Sequence, residues 1–175
     1  LDQAGLKSII LERDDPGKID WSRFDGRALS IAVGQRKFLT QIGAWDLIAP
    51  HAQAMNDILV TDGRISEGAA PLYLHFDHRA SQSSEPLAHM VEHRYIRHSL
   101  LQLAEGADRV ALIHSVQATN IDRQEDAVTV TLSNEQTLRT PLIVAAEGAF
   151  SPTREALGFD KVGWDYNQKG IVTTV

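Results

Sequence analysis

The residues that could do chemistry fall in a few short stretches. The first is Leu142 to Arg154, Leu-Ile-Val-Ala-Ala-Glu-Gly-Ala-Phe-Ser-Pro-Thr-Arg. Leu142 to Ala146 is an unbroken apolar run and reads as a short buried strand, because a strand with one wet face would alternate. Glu147 sets a carboxylate at its end, and Gly148 permits a turn that other residues resist. Ser151 before Pro152 is the usual order at a helix start, a capping hydroxyl and then proline in the first turn. Strand, acidic turn and helix N-terminus together make the kind of place where α/β proteins gather ligands.

The second stretch is Lys7 to Arg13, Lys-Ser-Ile-Ile-Leu-Glu-Arg, read as a strand that ends in the charges of Glu12 and Arg13. Asp14-Asp15-Pro16-Gly17 follows as a turn cluster. In dinucleotide-binding folds the second strand ends in an acid that holds a ribose hydroxyl, and Glu12 has that local setting. The plainer alternative is a carboxylate that merely closes a strand. A Gly-x-Gly-x-x-Gly turn should lie roughly 20 residues upstream of such an acid. No glycines in the chain have that spacing. The expectation is that the chain begins after that loop, with Leu1 to Leu6 as the tail of a first helix.

The third stretch, His89-Met90-Val91-Glu92-His93, fits the inverted zinc-protease pattern His-x-x-Glu-His. That motif works on a helix, where both imidazoles face one metal. Here it falls on a strand-to-helix boundary, and residues four apart on a strand are about 13 Å apart. No metal site is expected there, nor at His75-Phe76-Asp77-His78. Ser151 lacks the Gly-x-Ser-x-Gly elbow of a hydrolase nucleophile.

Composition limits the classes. The chain has 43% hydrophobic and 23% charged residues, the balance of a globular protein. Its net charge of −6 argues against nucleic-acid binding. It has no cysteine, which excludes disulfides and thiolate-held metals and fits a reducing compartment.

Other elements must position these residues. Ala28 to Trp45 has apolar residues at helical spacing, with Gly43 near its C-terminal cap. Asp57 to Thr61 and Pro71 to His78 read as strands, with Asp62-Gly63 as a turn after the first and Ala80 to Pro86 as a polar loop. Leu87 to Val91 reads as a strand. Arg94 to Ala104 reads as a helix ended by Gly106, with Ile96, Leu100, Leu101 and Leu103 buried. Val110 to Gly148 reads as successive strands, in which Val128, Val130 and Leu132 alternate with polar residues and Asn134-Glu135 turns. Ile171 to Val175 reads as one more strand.

Several of these segments carry a resemblance. Ala146-Glu147-Gly148-Ala149-Phe150-Ser151-Pro152-Thr153-Arg154 resembles the Ala-Asp-Gly-x-x-Ser-x-x-Arg motif of the flavin-dependent aromatic hydroxylases, with Glu147 in place of Asp. Arg27-Ala28-Leu29-Ser30, Leu39-x-x-Ile42-Gly43-x-Trp45, Glu92-His93-Arg94-Tyr95-Ile96-Arg97 and Trp164-Asp165-Tyr166-Asn167-Gln168 resemble the ubiquinone-biosynthesis branch of that family. The resemblance spans nearly the whole chain. It implies an α/β (α+β) fold, a partial FAD-binding dinucleotide fold with a β-rich region covering the substrate. Its expected divisions are residues 1–55 and 91–160 for FAD, 56–90 for substrate-sheet strands, and 161–175 for the start of further strands.

The resemblance also implies FAD and NAD(P)H as cofactors and hydroxylation of a polyprenyl phenol by dioxygen. Glu12, Arg13, Arg27, Glu92, Arg94, Glu147 and Gly148 are the implied cofactor-binding residues. No side chain stands out as a catalytic base. The implied location is cytoplasmic, with a peripheral membrane, ubiquinone-pathway proteins and a second copy of the chain left open as partners. Two other classes stay open: a noncatalytic α/β module that has lost its cofactor, and a zinc hydrolase using His89, Glu92 and His93.

Overall fold

The computed structural model describes residues 1–64, 66–80 and 85–170. In chain order its strands are β1 (Ser8–Glu12), β2 (Ala28–Ala32), β3 (Ala52–Met55), β4 (Asp57–Arg64), β5 (Gly68–Asp77), β6 (Ala88–Glu92), β7 (Val110–His114), β8 (Ala118–Arg123), β9 (Val128–Leu132) and β10 (Thr137–Thr140). Its α-helices are α1 (Val33–Gln41), α2 (Trp45–Ile48), α3 (His93–Glu105) and α4 (Pro152–Ala156). The fold is mixed α/β, as expected. It forms two compact units, one of Leu1–Leu6 with Asp20–Asp108, the other of Lys7–Ile19 with residues 109–170.

In the first unit β6 lies between β2 and β3 in an antiparallel sheet. Its central place suits its sequence, since Ala88 and Val91 are both buried. Ile31, Ala44, Ile48 and Val91 form the core, and Leu39, Ile42, Trp45, Tyr95, Ile96 and Leu103 pack on it from the helices. The buried stripe of α3 centres on Tyr95, Ile96, Ser99 and Leu103, the spacing of one helical face. That puts Leu100 at the rim, 39% exposed, while Ser99 is buried. The expectation of a buried Leu100 is corrected by that geometry.

Two further corrections concern this unit. Ala28 to Ala32 is strand and not helix, because it pairs in register with Glu92 to Ala88 of β6. The helix starts only at Val33, and Gly43 at φ +80° ends it in a conformation that favours glycine. Asp62-Gly63 is not the hairpin turn. β4 runs on to Arg64, with a bulge between Thr61 and Gly63, and the chain reverses before Gly68. Gly63 is needed for close approach, since a Cβ there would lie 2.6 Å from the Gly68 carbonyl oxygen. Leu1 to Leu6 contributes a single 3-10 turn, Asp2–Ala4.

In the second unit β1 and β7 pair in parallel, from Ser8 opposite Val110 to Glu12 opposite His114. A separate antiparallel sheet has the order β10-β9-β8. Val116, Val130 and Leu132 are its buried centre, joined by Leu11, Ile113, Val128, Leu138 and Ile143. The alternation in β9 thus buries one face as expected. Glu135 adopts φ +68°, which makes the expected turn before β10.

Leu142 to Ala146 is not a strand in the described structure. Ile143 packs into the core cluster, but Leu142 and Val144 are 72% and 74% exposed. A strand needs a neighbour to bond its backbone, and among the described residues β1 pairs only with β7. Ile171 to Val175 and residues 81–84 of the expected polar loop lie outside the described residues.

Candidate functional site

The sequence-predicted residues divide between the two units. Glu12, Arg13, Glu147 and Gly148 lie in one, and Arg27, Glu92 and Arg94 in the other.

Glu12 stands at the C-terminal end of a parallel strand, with His114 opposite. Its carboxylate accepts the backbone N–H of Asp14 at 2.9 Å. Arg13 is 77% exposed and lies 3.5 Å from the Asp14 carboxylate. Asp15 accepts the N–H of Gly17 at 3.0 Å and lies 3.8 Å from His114. The Lys18 ammonium first, and the Gly17 N–H second, hold the Asp15 carboxyl below its usual range. Charged groups therefore crowd the end of the parallel pair, where open α/β sheets take their ligands.

Glu147 reaches into the first turn of α4. It accepts hydrogen bonds from the Ser151 hydroxyl, from the Thr153 hydroxyl at 2.9 Å and from the Thr153 N–H at 3.1 Å. Ser151 caps the helix in turn by accepting the Arg154 N–H at 3.1 Å. The expected order of cap and proline is present. Gly148 has φ +84°, and nothing lies within 4 Å of where its Cβ would be. The backbone beside Glu147 is open to close approach. The Arg154 Nε is buried without a hydrogen-bond partner.

These features fit a dinucleotide cofactor: an acid closing a parallel strand, an exposed guanidinium beside it, and an open glycine turn with an unsatisfied Arg154 Nε nearby. Glu12 would take hydroxyl groups, and Arg13 would take anionic oxygens.

In the first unit Asp25 gathers its neighbours. Its Oδ2 accepts Arg27 Nε at 2.9 Å and NH2 at 2.5 Å, and its Oδ1 accepts the Arg27 N–H at 3.1 Å. The His93 ring Nδ1 is 3.4 Å from the same carboxylate, and the His93 N–H donates to the Arg27 carbonyl at 3.0 Å. The Arg27 hydrogen bond is the main reason the Asp25 carboxyl sits below its usual range. Arg27 itself stays 62% exposed.

Arg94 is more enclosed, with a side chain 16% exposed. Its Nε donates to Glu92 at 2.7 Å, and NH1 donates to the carbonyls of Ser22 and, at 3.4 Å, Trp21. NH2 donates to the Tyr95 hydroxyl at 3.1 Å. Tyr95 is stacked on His51, with centroids 3.7 Å apart. Glu92 and Arg94 are thus brought together. Sequence reasoning missed Asp25, and it weighed His93 only in the zinc-like pattern and not beside Asp25. The Asp25-Gly26-Arg27 string held a usable signal, because Asp before glycine commonly bonds the backbone two residues on.

His89 and Glu92 lie on β6 and His93 opens α3, the boundary expected for the zinc-like pattern. The His89 ring meets Trp45 edge-on at 5.0 Å, whereas His93 turns to Asp25. Among the described residues no group of three or more His, Cys, Asp or Glu could hold a metal.

Comparison with known proteins assigns the family. The pattern of the FAD binding domain family matches residues 1–172. The chain belongs to the FAD binding domain family. Ubiquinone hydroxylase UbiL of Rhodospirillum rubrum is 33% identical over 175 residues, covering 100% of this chain and 39% of that protein. Ubiquinone hydroxylase UbiM of Neisseria meningitidis is 25% identical over 173 residues, covering 97% of this chain and 36% of that protein. The chain therefore spans under two fifths of the length of these two relatives, at 39% and 36%. Among solved structures, p-nitrophenol 4-monooxygenase PnpA from Pseudomonas putida DLL-E4 superposes with a TM-score of 0.74 at 19% identity, covering 93% of this chain and 40% of that one. That likeness shows that the two chains share a fold. No helix among the described residues is long and apolar enough to cross a membrane.

Proposed function

We propose that the chain is the FAD-binding part of a monooxygenase that hydroxylates a polyprenyl phenol in ubiquinone biosynthesis, using NAD(P)H and dioxygen. One observation carries the reading: a ubiquinone hydroxylase is 33% identical over all 175 residues. The parallel β1–β7 pair, with Glu12 at its C-terminal end, gives the dinucleotide a physical seat.

FAD supplies the electron transfer and oxygen chemistry when bound, and this chain supplies binding, orientation and electrostatics. Glu12 accepts ribose hydroxyls. Arg13 and Arg27 offer exposed guanidiniums to anionic oxygens. Gly148 lets backbone approach the cofactor, and Glu147 holds that turn against α4. Glu92 and Arg94 fix the start of α3. The protein works in the cytoplasm, with peripheral membrane contact where its polyprenyl substrate partitions.

Purified full-length protein should carry a yellow flavin. It should consume NAD(P)H and oxygen in step with hydroxylation of a short-chain polyprenyl phenol. Flavin binding without any phenol hydroxylation would leave only the FAD-binding role. The 175-residue chain alone should bind FAD weakly, because its sequence has no glycine-rich pyrophosphate turn.

A further inference from the structure

We propose that Asp25 is the positioning residue of Arg27, holding one edge of its guanidinium so that the other edge meets an anionic oxygen of the bound dinucleotide. The inference rests on the reading that Arg27 touches FAD. An exposed arginine is a poor binding group when loose, because ordering its long side chain opposes binding. Arg27 is 62% exposed, yet it is not loose. Its Nε and NH2 both donate to Asp25 Oδ2, at 2.9 and 2.5 Å. Those contacts occupy one edge of the guanidinium and leave NH1 outside the pair.

Asp25 is itself restrained from several sides. Its other oxygen accepts the Arg27 N–H at 3.1 Å. Gly26, at φ +80°, makes the turn that lets both contacts form. The segment is then pinned to the start of α3 at two points. His93 donates its N–H to the Arg27 carbonyl at 3.0 Å and sets its ring 3.4 Å from Asp25. Arg94 donates to the carbonyl of Ser22 at the other end of the loop. Among the described residues, the Asp25 carboxylate carries this anchoring to the Arg27 guanidinium.

A rival effect has the opposite sign. A carboxylate beside Arg27 partly cancels the charge that an anion would meet. If cancellation dominated, removing the Asp25 charge would tighten binding. If positioning dominates, removing it weakens binding. The sign of the change therefore decides between them.

The test is FAD titration of the full-length apoprotein by flavin fluorescence, with thermal midpoints of every variant. Arg27→Ala should weaken binding by about 10–100-fold, the range for a charge-assisted hydrogen bond. Asp25→Asn should weaken it by roughly 5–10-fold, with Asp25→Glu restoring most of the loss. The double variant should bind no worse than Arg27→Ala, because Asp25 acts through Arg27. In the FAD-free protein, the NMR order parameter of Arg27 Nε should fall on Asp25→Asn.

An unchanged or tighter affinity for Asp25→Asn, with Arg27→Ala still weakened, overturns the positioning role alone. So does a further loss in the double variant, which would mean that Asp25 acts on the fold, and so does an Arg27 Nε order parameter that does not move. No effect of Arg27→Ala sinks the cofactor contact of Arg27, and the positioning role with it.

Discussion

Glu147 ties down Thr153 six residues ahead, accepting its backbone N–H at 3.1 Å and its hydroxyl at 2.9 Å. The carboxylate thus satisfies a donor that the first turn of α4 would leave open. Burial pushes the Glu147 carboxyl up, but hydrogen bonds from Ser151 and Thr153 and the nearby Arg154 outweigh it, so it lies below the usual 4.5. A depressed carboxyl stabilises the fold above its unfolded value and loses that contribution as pH falls through its folded one. Glu147→Gln should cost about 0.5–1 kcal/mol at pH 7, a capping contribution screened by solvent. Urea unfolding should show the gap between the two proteins closing once pH drops below the usual carboxylate range. A gap that persists in acid would show that the charge is not what matters.

The sequence made legible those features whose partners are near in the chain. The Ser151 cap and the turns at Gly148 and Glu135 involve neighbours, and α3 announced itself by its period. Glu147 was placed at the right turn, but its contacts with Thr153 depend on the way the chain folds back. Ala28 to Ala32 reads equally well as helix, and only pairing with β6 makes it strand. The apolar run at Leu142 reads as a buried strand from residue type alone, yet Leu142 and Val144 stay exposed and only Ile143 packs on the core. The Arg94 contact to Ser22 spans 72 positions, a distance at which composition says nothing. Asp25 lay beside Arg27 all along, yet its role depends on His93 from α3.

Two glycines should respond oppositely to alanine. At Gly63 the new Cβ would meet the Gly68 carbonyl oxygen at 2.6 Å, backbone that cannot swing aside. Gly63→Ala should cost about 1–3 kcal/mol, the range for overpacking. Hydrogen exchange should speed up in β4 and β5. Gly34 lies in α1 with nothing within 4 Å of its Cβ position. Gly34→Ala should add about 0.5 kcal/mol, since glycine is a poor helix former. A stabilised Gly63→Ala would mean that the bulge is looser than drawn.

His89 should make the protein less stable in mild acid. Burial first, and the Arg36 guanidinium second, push its imidazole below the usual 6.5, with Glu85 opposing. The folded state therefore favours the neutral ring. Stability is full above the unfolded value and declines as pH falls below it, because the unfolded chain takes up the proton more readily. His89→Phe keeps an aromatic ring against Trp45 and removes the buried Nδ1 that has no partner. Its stability should match or exceed the parent at pH 7, with a flatter decline from pH 7 to 5. Elemental analysis should return no stoichiometric zinc. One zinc per chain, lost on changing His89 or His93, would restore the metal reading.

Glu12 offers a test that separates a cofactor role from a structural one. Its carboxylate accepts the Asp14 N–H at 2.9 Å, so it shapes the turn after β1 whether or not FAD is present. Glutamine can still accept that N–H through its amide oxygen, but it lacks the charge that strengthens hydrogen bonds from ribose hydroxyls. Alanine can do neither. If Glu12 holds the ribose, Glu12→Gln should keep the thermal midpoint and still weaken FAD binding. A charge-assisted bond contributes about 1.5–3 kcal/mol, so Glu12→Ala should lose roughly 10–100-fold in affinity. Glu12→Gln should fall between alanine and the parent. FAD titration and thermal melts of the three full-length proteins in one buffer give both readings. If Gln binds FAD as the parent does and Ala loses stability and affinity together, Glu12 serves only the turn. The ribose would then need another acceptor at the end of the β1–β7 pair.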